Sequence, residues 1–511
     1  MLAKVISSTV IGTEAKEVVV EVDISGGLPG FAIVGLPDPA IRESINRVKA
    51  AIKNCGFMFP NRKITVNLAP ADLKKQGPSF DLPMALGILV ASQQIPPEAL
   101  ENRVICGELS LDGALRPITG CLPRATALKN KRHFDLLLPQ DNATEAALVD
   151  KVLVRPILHL AQAVSFLRKE IEIPAQKVNL RKFWNDGAGF GIDMKDIKGQ
   201  IHAKRALEVA ASGRHNILFI GPPGTGKTML AKCLPGILPE MDLGEALETT
   251  NIHSVCGFLS KHNALITTRP FRAPHHTISD VALIGGGSFP KPGEISLAHH
   301  GVLFLDELPE FKRNVLEALR QPLEESRITV SRASCSLHFP ANFMLIAAMN
   351  PCPCGYFTDP KKECHCSPIQ IQKYLSKISG PLLDRIDMHV EVPNLNYQEL
   401  TQKPQGEASE VIRERVEGIR KIQKKRYAQE KRTFNANLKP RQIEKYCLLS
   451  TEAQEILKMA IYELGLSARA YDKVLKLSRT IADMAGQEQI NAEHIAEAIG
   501  YRCLDRNIWM H

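Results

Sequence analysis

One stretch of this chain has the residue types and the spacing needed to hold a polyphosphate. The apolar run ILFI at 217–220 leads into GPPGTGKT and then into a helical pattern. Glycines in such a loop let successive backbone N–H groups face phosphate oxygens, and the start of the helix adds a positive dipole. Lys227 can reach the β- and γ-phosphates, and the Thr228 hydroxyl can ligate Mg²⁺. The sequence therefore predicts an ATP site whose loop consists of Gly221, Pro222, Pro223, Gly224, Thr225, Gly226, Lys227 and Thr228.

A pair of acidic residues and an asparagine follow two further apolar runs. In VLFLDE, Asp306 is expected to hold the Mg²⁺, and Glu307 to orient or deprotonate the attacking water. The acidic pair could instead cap the helix that follows it, but its position downstream of a phosphate loop favours catalysis. Asn350 ends FMLIAAMN and could position water near the γ-phosphate; as an alternative it is a turn residue before a proline.

Two arginines are candidates for contact with the transferred phosphoryl group. Arg385 lies in a short polar break, LLDRID, from which a neighbouring subunit could reach ATP. Arg469 lies near the start of a helix in the last predicted domain and could fold onto the nucleotide. A single arginine is usually an ordinary surface residue. The order of the motifs along the chain is what favours a role for these two.

Four of the twelve cysteines form two CxC pairs in CPCGYFTDPKKECHC at 352–366. Cys352, Cys354, Cys364 and Cys366 could supply a tetrahedral site for structural Zn²⁺. Free thiols are the main alternative, and an Fe–S cluster is a more remote one. CxC is tighter than the usual CxxC, and His365 could replace one thiol. Disulfides are the least expected use, because we expect a cytoplasmic protein with reduced thiols.

The elements that would position these residues are predicted from periodicity. Residues 1–172 alternate β-rich and helical runs, as in an α/β or α+β domain, and 173–192 have the lost periodicity of a linker. Residues 193–395 alternate short strands with helices, as in a parallel sheet with crossovers. Residues 396–440 predict a basic linker or helix, and 441–511 predict helices that begin at Ser or Asn caps.

Composition and charge exclude some classes of protein. The 511 residues are 44% hydrophobic and 23% charged, as in globular proteins. The N-terminus has no secretory signal, and the longest apolar run, LPMALGILVA, is too short for a bilayer, so we expect no membrane association. The net charge of +9 is concentrated between Val411 and Lys445. A basic helix there could follow a phosphate backbone, although a solvated linker helix is the simpler interpretation.

The succession of motifs resembles that of AAA+ ATPases, and more closely their magnesium-chelatase-like branch, the ComM/YifB family. The segments that carry the resemblance are PGFAIVGLPDPAIRESINRVKAAI, TRPFRAPHHTISDVALIGGG, LPEFKRNVLEALRQPLEE and AAMNPCPCGYF. The resemblance implies a Lon-protease-like α+β domain (ribosomal S5 domain 2-like), a central AAA+ domain with a parallel sheet, and a C-terminal α-helical lid. It also implies a hexamer. By the same resemblance, Lys227 and Thr228 bind phosphate and Mg²⁺, and Asp306 and Glu307 are the Walker B pair. Asn350 would be sensor 1, Arg385 the arginine finger and Arg469 sensor 2.

Two segments exceed what a minimal ATPase core needs. Residues 268–294 are rich in turn formers and contain Arg269, Arg272, His275, His276 and Lys291, and residues 327–342 alternate like a β-hairpin. Similar insertions in the resembled branch line a central pore, where Arg and Lys would grip a phosphate backbone. Alternatively, both segments only pack one subunit against the next.

Ser79 raises the question of protease activity. The segment KKQGPSFDLPMA is similar to the nucleophile segment of Lon-type proteases, which pair the serine with a lysine that takes its proton. In the matching later segment Pro123 stands where that lysine would be. Arg124 stays protonated, and Lys129 is only a distant candidate. We therefore expect a non-proteolytic scaffold or a DNA-contacting collar.

These observations predict a hexameric, ATP- and Mg²⁺-dependent DNA motor that acts on single-stranded or branched DNA as a branch-migration helicase. The resemblance implies a role in natural transformation or recombination. The alternative is a chelatase-type motor that remodels a protein partner so that a metal enters a tetrapyrrole. The fused N-terminal domain and the basic segment favour DNA, and an ATP-dependent protease is a third, weaker interpretation.

Overall fold

The computed structural model describes residues 2–131, 134–185, 191–259, 263–287, 289–332, 335–357, 359–397, 399, 406–430 and 434–505. Contacts divide the chain into two compact units, Met1–Gly187 with Leu243–Thr267, and Ala188–Asp242 with Thr268–His511. Part of the predicted linker (186–190) and parts of the predicted basic segment (398, 400–405 and 431–433) lie outside the described residues.

The elements before residue 186 mix strands and helices, as the sequence predicts. The strands are β1 (Leu2–Ile11), β2 (Glu14–Ser25), β3 (Gly30–Val34), β4 (Lys63–Ala69), β5 (Arg103–Ile105), β6 (Glu108–Leu109), β7 (Leu115–Arg116), β8 (Asp135–Pro139) and β9 (Leu153–Ile157). The helices are α1 (Pro39–Asn54), α2 (Asp81–Ala91), α3 (Cys121–Leu128), α4 (Gln140–Ala146), α5 (Leu160–Leu167) and α6 (Leu180–Asn185).

The first unit is organised around a seven-stranded mixed sheet with the order β3-β4-β2-β1-β5-β8-β9. Along β2, Val18, Val20 and Val22 are fully buried and the residues between them are less so, which is the period of two expected of a strand with one covered face. Helix α2 packs on β1 and β2, and each of its residues is buried. The apolar run that contains LPMALGILVA is therefore a core helix.

The second unit contains most of the remaining elements. Its strands are β10 (Ile217–Ile220), β11 (Phe271–Arg272), β12 (Gly285–Gly286), β13 (Lys291–Pro292), β14 (Val302–Leu305), β15 (Arg327–Arg332), β16 (Cys335–Pro340), β17 (Met344–Met349) and β18 (Met388–Glu391). The helices after residue 200 are α7 (Ile201–Gly213), α8 (Lys227–Ile237), α9 (Leu243–Cys256), α10 (Asp280–Ile284), α11 (Glu294–Leu297), α12 (Arg313–Ala318), α13 (Arg320–Glu325), α14 (Pro368–Leu375), α15 (Gly380–Leu383), α16 (Ser409–Arg426), α17 (Pro440–Tyr446), α18 (Thr451–Leu464), α19 (Ala468–Met484) and α20 (Ala492–Gly500).

A five-stranded parallel sheet with the order β11-β14-β17-β10-β18 forms the centre of the second unit. Each residue of β10, β14 and β17 is buried. These strands are continuous apolar runs because helices and loops cover both faces of the sheet. The predicted α/β architecture with a parallel sheet is confirmed.

Two boundaries differ from the sequence prediction. Helix α9 lies inside the predicted domain 193–395, yet it belongs to the first unit, where the backbone N–H of Gly120 donates to Ser254 (3.1 Å). Periodicity detects a helix but does not reveal which core it joins. Helix α6 lies inside the predicted linker 173–192; six residues make fewer than two turns, too few for a periodic pattern to show.

In the second half of the chain, the structure agrees with the hairpin and helix-cap signals of the sequence. The predicted hairpin at 327–342 is the antiparallel pair β15 and β16, whose residues 333–334 lie outside the described part. Ser450 and Ser467 accept backbone N–H groups at the starts of α18 and α19, and Gly465 ends α18 with a φ of 63°. No helix in the described part of the chain is long and apolar enough to cross a membrane.

Candidate nucleotide site and cysteine cluster

The candidate site residues follow three adjacent strands of the parallel sheet. Gly221 follows β10, Asp306 follows β14 and Asn350 follows β17, and β17 pairs in parallel with both of its neighbours. Parallel strands end at the same edge of a sheet, so their following residues come together there. Ligands of open α/β sheets bind at this edge.

The phosphate loop connects β10 to α8 with a backbone that needs glycine. A Cβ added at Gly221 would lie 2.1 Å from the carbonyl oxygen of Val392. That oxygen belongs to the backbone and cannot move away as a flexible side chain could, so any larger residue would clash there. Gly226, the residue before α8, has a φ of 90°, in the left-handed region that favours glycine. The loop therefore turns sharply into the helix, and the first N–H groups of α8 are available to phosphate oxygens.

The Lys227 ammonium is buried and held by oxygen acceptors. It donates to the carbonyls of Gly221 (2.7 Å) and Pro222 (2.8 Å), and it lies 3.2 Å from the side-chain oxygen of Asn350. Burial lowers the pKa of Lys227 from its ordinary value of 10.5 to about 8, and the negative charge of Asp306 partly opposes this. The structure thus brings together two residues predicted to act at the γ-phosphate.

Thr228 and Asp306 form the other half of the site. The Thr228 hydroxyl donates to the Asp306 carboxylate at 2.8 Å, although 78 positions separate the two residues. Hydroxyl and carboxylate oxygens are the ligands that Mg²⁺ prefers, together with water and phosphate oxygens. The donor set therefore fits the predicted magnesium site.

Glu307 has an unusual backbone and an exposed side chain. Its φ is 54°, in the left-handed region, and its N–H donates to Asp306 Oδ1 at 3.0 Å. Its carboxylate is 57% exposed and lies 3.2 Å from Nδ1 of His276. Non-glycine residues in this conformation occur preferentially at functional sites.

The two candidate arginines lie together, but not beside Lys227. Arg385 pairs with Glu324, and Arg469 pairs with Asp384 at 3.3 Å. Both arginines line a cavity of about 530 Å³ whose described lining does not include Lys227. Arg469 thus faces the same cavity as Arg385, and its predicted contact with the nucleotide stays a prediction.

The four cysteines of the CxC pairs converge. Their sulfurs all lie within 4.8 Å of one another, with Cys352 3.3 Å from Cys354 and 3.7 Å from Cys364, and with Cys354 3.6 Å from Cys364. Four thiolates around zinc at about 2.3 Å lie about 3.8 Å apart, so the separations fit such a site. The backbone N–H of Phe357 points at Cys352 Sγ (3.3 Å), a contact that stabilises a thiolate. His365 is not part of this group.

The cysteine cluster contacts the phosphate loop. A Cβ added at Gly355, which lies between the pairs with a φ of 86°, would be 2.7 Å from the Pro223 ring. After Cys366, Ser367 caps helix α14, and that helix returns Tyr374 to the backbone amide of Asn350. Burial raises the pKa of the Tyr374 hydroxyl, so it stays a neutral hydrogen-bonding group.

Two of the three cations that the sequence singles out in the insertion 268–294 have hydrogen-bond partners within the same chain. Arg269 donates to the carbonyls of Pro239 (2.6 Å) and His300 (2.7 Å), and Arg272 forms a bidentate pair with Glu294 (2.6 and 2.7 Å). Lys291 is exposed. The two arginines thus have partners within the chain, whereas Lys291 is exposed, and contact of these cations with a phosphate backbone stays a prediction.

The basic helix α16 has two different faces. Ile412, Val416, Ile419 and Gln423 are buried, and the arginines at the edges of this face have partners in the protein. Arg415 binds Glu208 and Glu407, Arg420 donates to a backbone carbonyl, and Arg426 pairs with Asp483. The exposed face carries Lys421, Lys424 and Lys425.

Ser79 of the first unit is buried beside an arginine. Its hydroxyl accepts from Arg124 Nη2 at 3.2 Å, and Arg124 also contacts the Ser8 hydroxyl (3.0 Å) and Cys106 Sγ (3.4 Å). A guanidinium remains protonated and cannot take a proton from serine. Arg124, the hydrogen-bond partner of the Ser79 hydroxyl, therefore cannot act as its catalytic base.

Sequence reasoning missed two residues of the site and one contact. Gln200, with a φ of 53°, donates to the carbonyls of Thr225 (3.3 Å) and Pro393 (2.8 Å) and so supports the phosphate loop. Tyr374 was missed because helix α14 brings it to Asn350 only in the folded chain. His276 was singled out within the insertion, but its contact with Glu307 was not predicted.

Comparison with known proteins covers both units. Three family models match, described as magnesium chelatase subunit ChlI (residues 193–400), subunit ChlI of Mg-chelatase (20–142) and subunit ChlI C-terminal (406–502). Competence protein ComM of Haemophilus influenzae is 47% identical over 508 residues, which cover 99% of this chain and 98% of ComM. Protein YifB of Salmonella typhimurium is 43% identical over 509 residues, 99% of this chain and 98% of YifB. The 38 kDa magnesium-chelatase subunit of Rhodobacter capsulatus is 25% identical over 175 residues, 30% of this chain and 49% of that subunit.

Proposed function

The chain belongs to the magnesium-chelatase-like family that includes ComM and YifB, and from this premise we propose that it is an ATP-driven DNA motor. The family supports ATP hydrolysis by the second unit. The finer proposal is a hexameric ring that moves on single-stranded or branched DNA and promotes branch migration. The name of its relative ComM, a competence protein, supports a role in natural transformation or recombination.

The observation that carries the proposal is the convergence of Lys227, Thr228, Asp306 and Asn350 at the ends of β10, β14 and β17. In the proposed reaction, Lys227 and the loop N–H groups bind the phosphates of ATP, and Asn350 orients a water molecule. Glu307 accepts a proton from this water as its oxygen bonds to the γ-phosphorus and the bond to the β-phosphate oxygen breaks. The products are ADP and phosphate.

Two metals belong to this proposal. Thr228 and Asp306 would hold Mg²⁺, which neutralises phosphate charge when bound. Cys352, Cys354, Cys364 and Cys366 would hold one structural Zn²⁺. We assign the zinc loop a supporting role, because Gly355 packs on the phosphate loop and α14 carries Tyr374 to Asn350.

The ring would share its active sites between neighbouring subunits. Arg385 and Arg469 line one cavity that is separate from Lys227 of the same chain. Six cationic and four acidic side chains line it in all, so its charge is modestly positive and suits the phosphates of a nucleotide bound to an adjacent subunit. In this proposal both arginines act on the neighbour's phosphates.

The remaining parts would serve DNA and the ring. The lysines of α16 and Lys291 are exposed and suited to phosphate contacts. The first unit would be a Lon-protease-like scaffold without protease activity, a role supported by the contact between Ser79 and Arg124. The helices from α18 to α20 would form the lid.

A second candidate function is a chelatase-type motor that remodels a protein partner. The descriptions of the three matching family models favour it, since each names a magnesium-chelatase subunit. The two functions share ATP hydrolysis and differ in what stimulates it.

The test is ATP turnover measured with and without single-stranded and forked DNA, at low and raised salt. We expect DNA to raise turnover several-fold and salt to weaken the effect, because phosphate contacts release counterions. Lys227→Ala should abolish turnover. Lys232→Ala, on the exposed side of the same helix, is the matched control and should retain it. Turnover that does not respond to DNA at low salt would favour protein remodelling.

A further inference from the structure

The Asp387 carboxylate is buried shortly after Arg385 in the chain and has three polar neighbours. Its Oδ2 accepts the backbone N–H of Asn216 at 2.9 Å, and its Oδ1 pairs with the Lys473 ammonium. His215 Nδ1 lies 3.6 Å from the same carboxylate. Burial alone would raise the pKa of Asp387, but Lys473 and His215 outweigh burial and hold that pKa below its usual range. Asp387 is therefore a fixed negative charge next to the loop that carries Arg385.

Asn216 joins the Arg385 loop to the amino-terminal end of the parallel sheet. Its backbone carbonyl accepts the N–H groups of Asp387 (3.0 Å) and Met388 (3.0 Å). Its side chain donates to the Arg385 carbonyl at 3.4 Å and accepts the N–H of Leu345, in β17, at 2.8 Å. Asn216 precedes β10, whereas the phosphate loop follows β10, so the two lie at opposite ends of this strand. These contacts fix the main chain of the Arg385 loop away from the phosphate loop of its own chain.

Lys473 connects the Asp387 carboxylate to the C-terminal helices. It lies on α19, one helical turn after Arg469, so the two side chains project from the same face of the helix. Only 18% of the Lys473 side chain and 3% of the Asp387 side chain are exposed, so water and salt screen their attraction weakly. The pair therefore transmits the position of α19 to the loop that carries Arg385.

We infer that Lys473 is a positioning residue that, through Asp387, sets where Arg385 stands relative to α19, so that Arg385 reaches the nucleotide of the adjacent subunit. The inference rests on the proposed function, since it takes Arg385 as the residue that contacts this nucleotide. Lys473 acts through Asp387, because its ammonium is bound by that carboxylate. Losing either charge of the pair therefore misplaces Arg385, even when the other charge is still present.

The first experiment measures kcat, KM for ATP and the melting temperature of full-length variants. Lys473→Met and Asp387→Asn each remove one charge, and the double variant removes both, so that no buried charge is left uncompensated. The asparagine side chain still offers an oxygen to the N–H of Asn216. Arg205→Met is the control, because it removes an ion pair between α7 and α20 (Arg205 to Glu497, 3.0 Å) that does not involve the Arg385 loop.

We expect all three variants of the pair to lower kcat by about 100-fold with KM within about twofold of the wild-type value, because a slightly misplaced finger acts on the transition state and not on ATP binding. The single variants should melt at lower temperature, and the double variant should recover most of that loss. Arg205→Met should keep kcat within about twofold of the wild-type value. Wild-type kcat in Asp387→Asn or in the double variant would overturn the inference, and so would a double variant that does not fold, since the pair would then serve stability.

The second experiment mixes two inactive variants in equal amounts. Subunits of the Lys473 and Asp387 double variant keep an intact Glu307, and Glu307→Gln subunits keep a correctly placed Arg385. We expect the mixture to hydrolyse ATP well above the sum of the two separate preparations, because the sites of the double-variant subunits receive Arg385 from their neighbours. A defect of folding or of ATP binding within a subunit would not be corrected in this way.

Arg385→Ala mixed with Glu307→Gln is the reference for this experiment. Restored turnover in the reference mixture without restoration in the double-variant mixture would overturn the inference and leave the proposed function intact. No restoration in either mixture would overturn the shared active site of the proposed function, and the inference with it.

Discussion

The carboxylates and the lysine at the nucleotide site differ in how the protein holds them. Lys227 is buried among oxygen acceptors, and its lowered pKa shows that burial outweighs the attraction of Asp306. Asp306 is fixed by the Thr228 hydroxyl, whereas the Glu307 carboxylate is largely exposed. The groups suited to binding are thus immobilised, and the group suited to proton transfer keeps rotational freedom.

A change of Glu307 to glutamine separates binding from hydrolysis. We expect Glu307→Gln to bind ATP with wild-type affinity and to lower kcat at least about 100-fold, because an amide does not accept the proton of the attacking water. Glu310→Gln, three residues on and paired with Lys377 at 3.3 Å, is the control and should hydrolyse ATP within about twofold of the wild-type rate. Normal single-turnover hydrolysis in Glu307→Gln would remove Glu307 from its assigned role.

The cysteine loop and helix α14 form one connected element. The loop leaves β17 at Asn350, gathers four thiols, packs Gly355 on the phosphate loop and returns Tyr374 to Asn350 through α14. Four thiols this close would repel one another as thiolates, and a divalent cation at their centre offsets that repulsion. The zinc proposed above would therefore help to hold the shape of this element.

Metal content tests this element directly. We expect protein purified without chelators to carry one zinc per chain, measured by metal release with a thiol-blocking mercurial and a colorimetric dye. Replacing the four cysteines by serine should abolish the zinc and lower the melting temperature by several degrees, because metal binding contributes to folding. Cys256→Ser, outside the cluster, should keep both. The zinc site would be contradicted if the wild-type protein contained no metal and the four-serine variant had the same melting temperature. Visible absorption typical of an iron–sulfur cluster would show that the four cysteines hold such a cluster and not zinc.

Helix α16 shows how a basic segment divides its charges. Arg415 and Arg426 form ion pairs on the side that packs on the protein, and Phe434 lies between Arg214 and Arg420, with 5.0 and 4.7 Å from its ring to the two guanidinium groups. The lysines remain on the opposite side. Arginine suits the bidentate and stacked contacts, and lysine suits a solvated face.

The two faces of α16 should respond differently to substitution. We expect the triple change Lys421→Gln, Lys424→Gln and Lys425→Gln to weaken single-stranded DNA binding and to reduce the slope of log affinity against log salt by about 2, with no change in melting temperature. Arg415→Gln is the contrasting variant: it should lower stability by about 1 kcal/mol through loss of partly exposed ion pairs and leave the salt slope intact. An unchanged salt slope in the triple variant would exclude this face from DNA binding.

On the scale of the whole molecule, the chain passes between its two compact units three times. Residues 243–267 leave the second unit after α8, contribute α9 to the first unit and return before β11. The second unit combines the parallel sheet with the C-terminal helices and carries both the nucleotide site and the cavity of Arg385 and Arg469. A single chain holds these two sites apart, so the proposed catalysis needs a second copy to bring them together.

Mixing subunits tests that requirement. We expect Arg385→Ala subunits, added in increasing proportion to wild type at constant total protein, to reduce ATP turnover more steeply than simple dilution, because each variant leaves its neighbour's site without a finger. Arg320→Ala, at the start of α13, removes a pair with Glu317 of α12; it is the control and should not reduce turnover. A linear decline with Arg385→Ala would mean that each subunit hydrolyses ATP alone.

Sequence reasoning succeeded where the chemistry depends on neighbours along the chain. The phosphate loop, its strand and its helix are contiguous, so glycine positions and a run of apolar residues suffice to predict them. The four cysteines lie within one loop and were grouped correctly. The partners of Arg269 and Arg272, the carbonyls of Pro239 and His300 and the carboxylate of Glu294, were not predicted because they are distant in sequence.

By itself, the sequence determined the family, the parallel sheet, the phosphate loop and the residues at the strand ends, because these depend on local periodicity and contiguous motifs. Only the tertiary structure decided that α9 packs with the first unit, that Arg469 lies with Arg385, that Ser79 faces Arg124, and that His276 meets Glu307. Each of these contacts joins segments far apart in the chain, and residue type at one position does not specify which distant segment will lie against it.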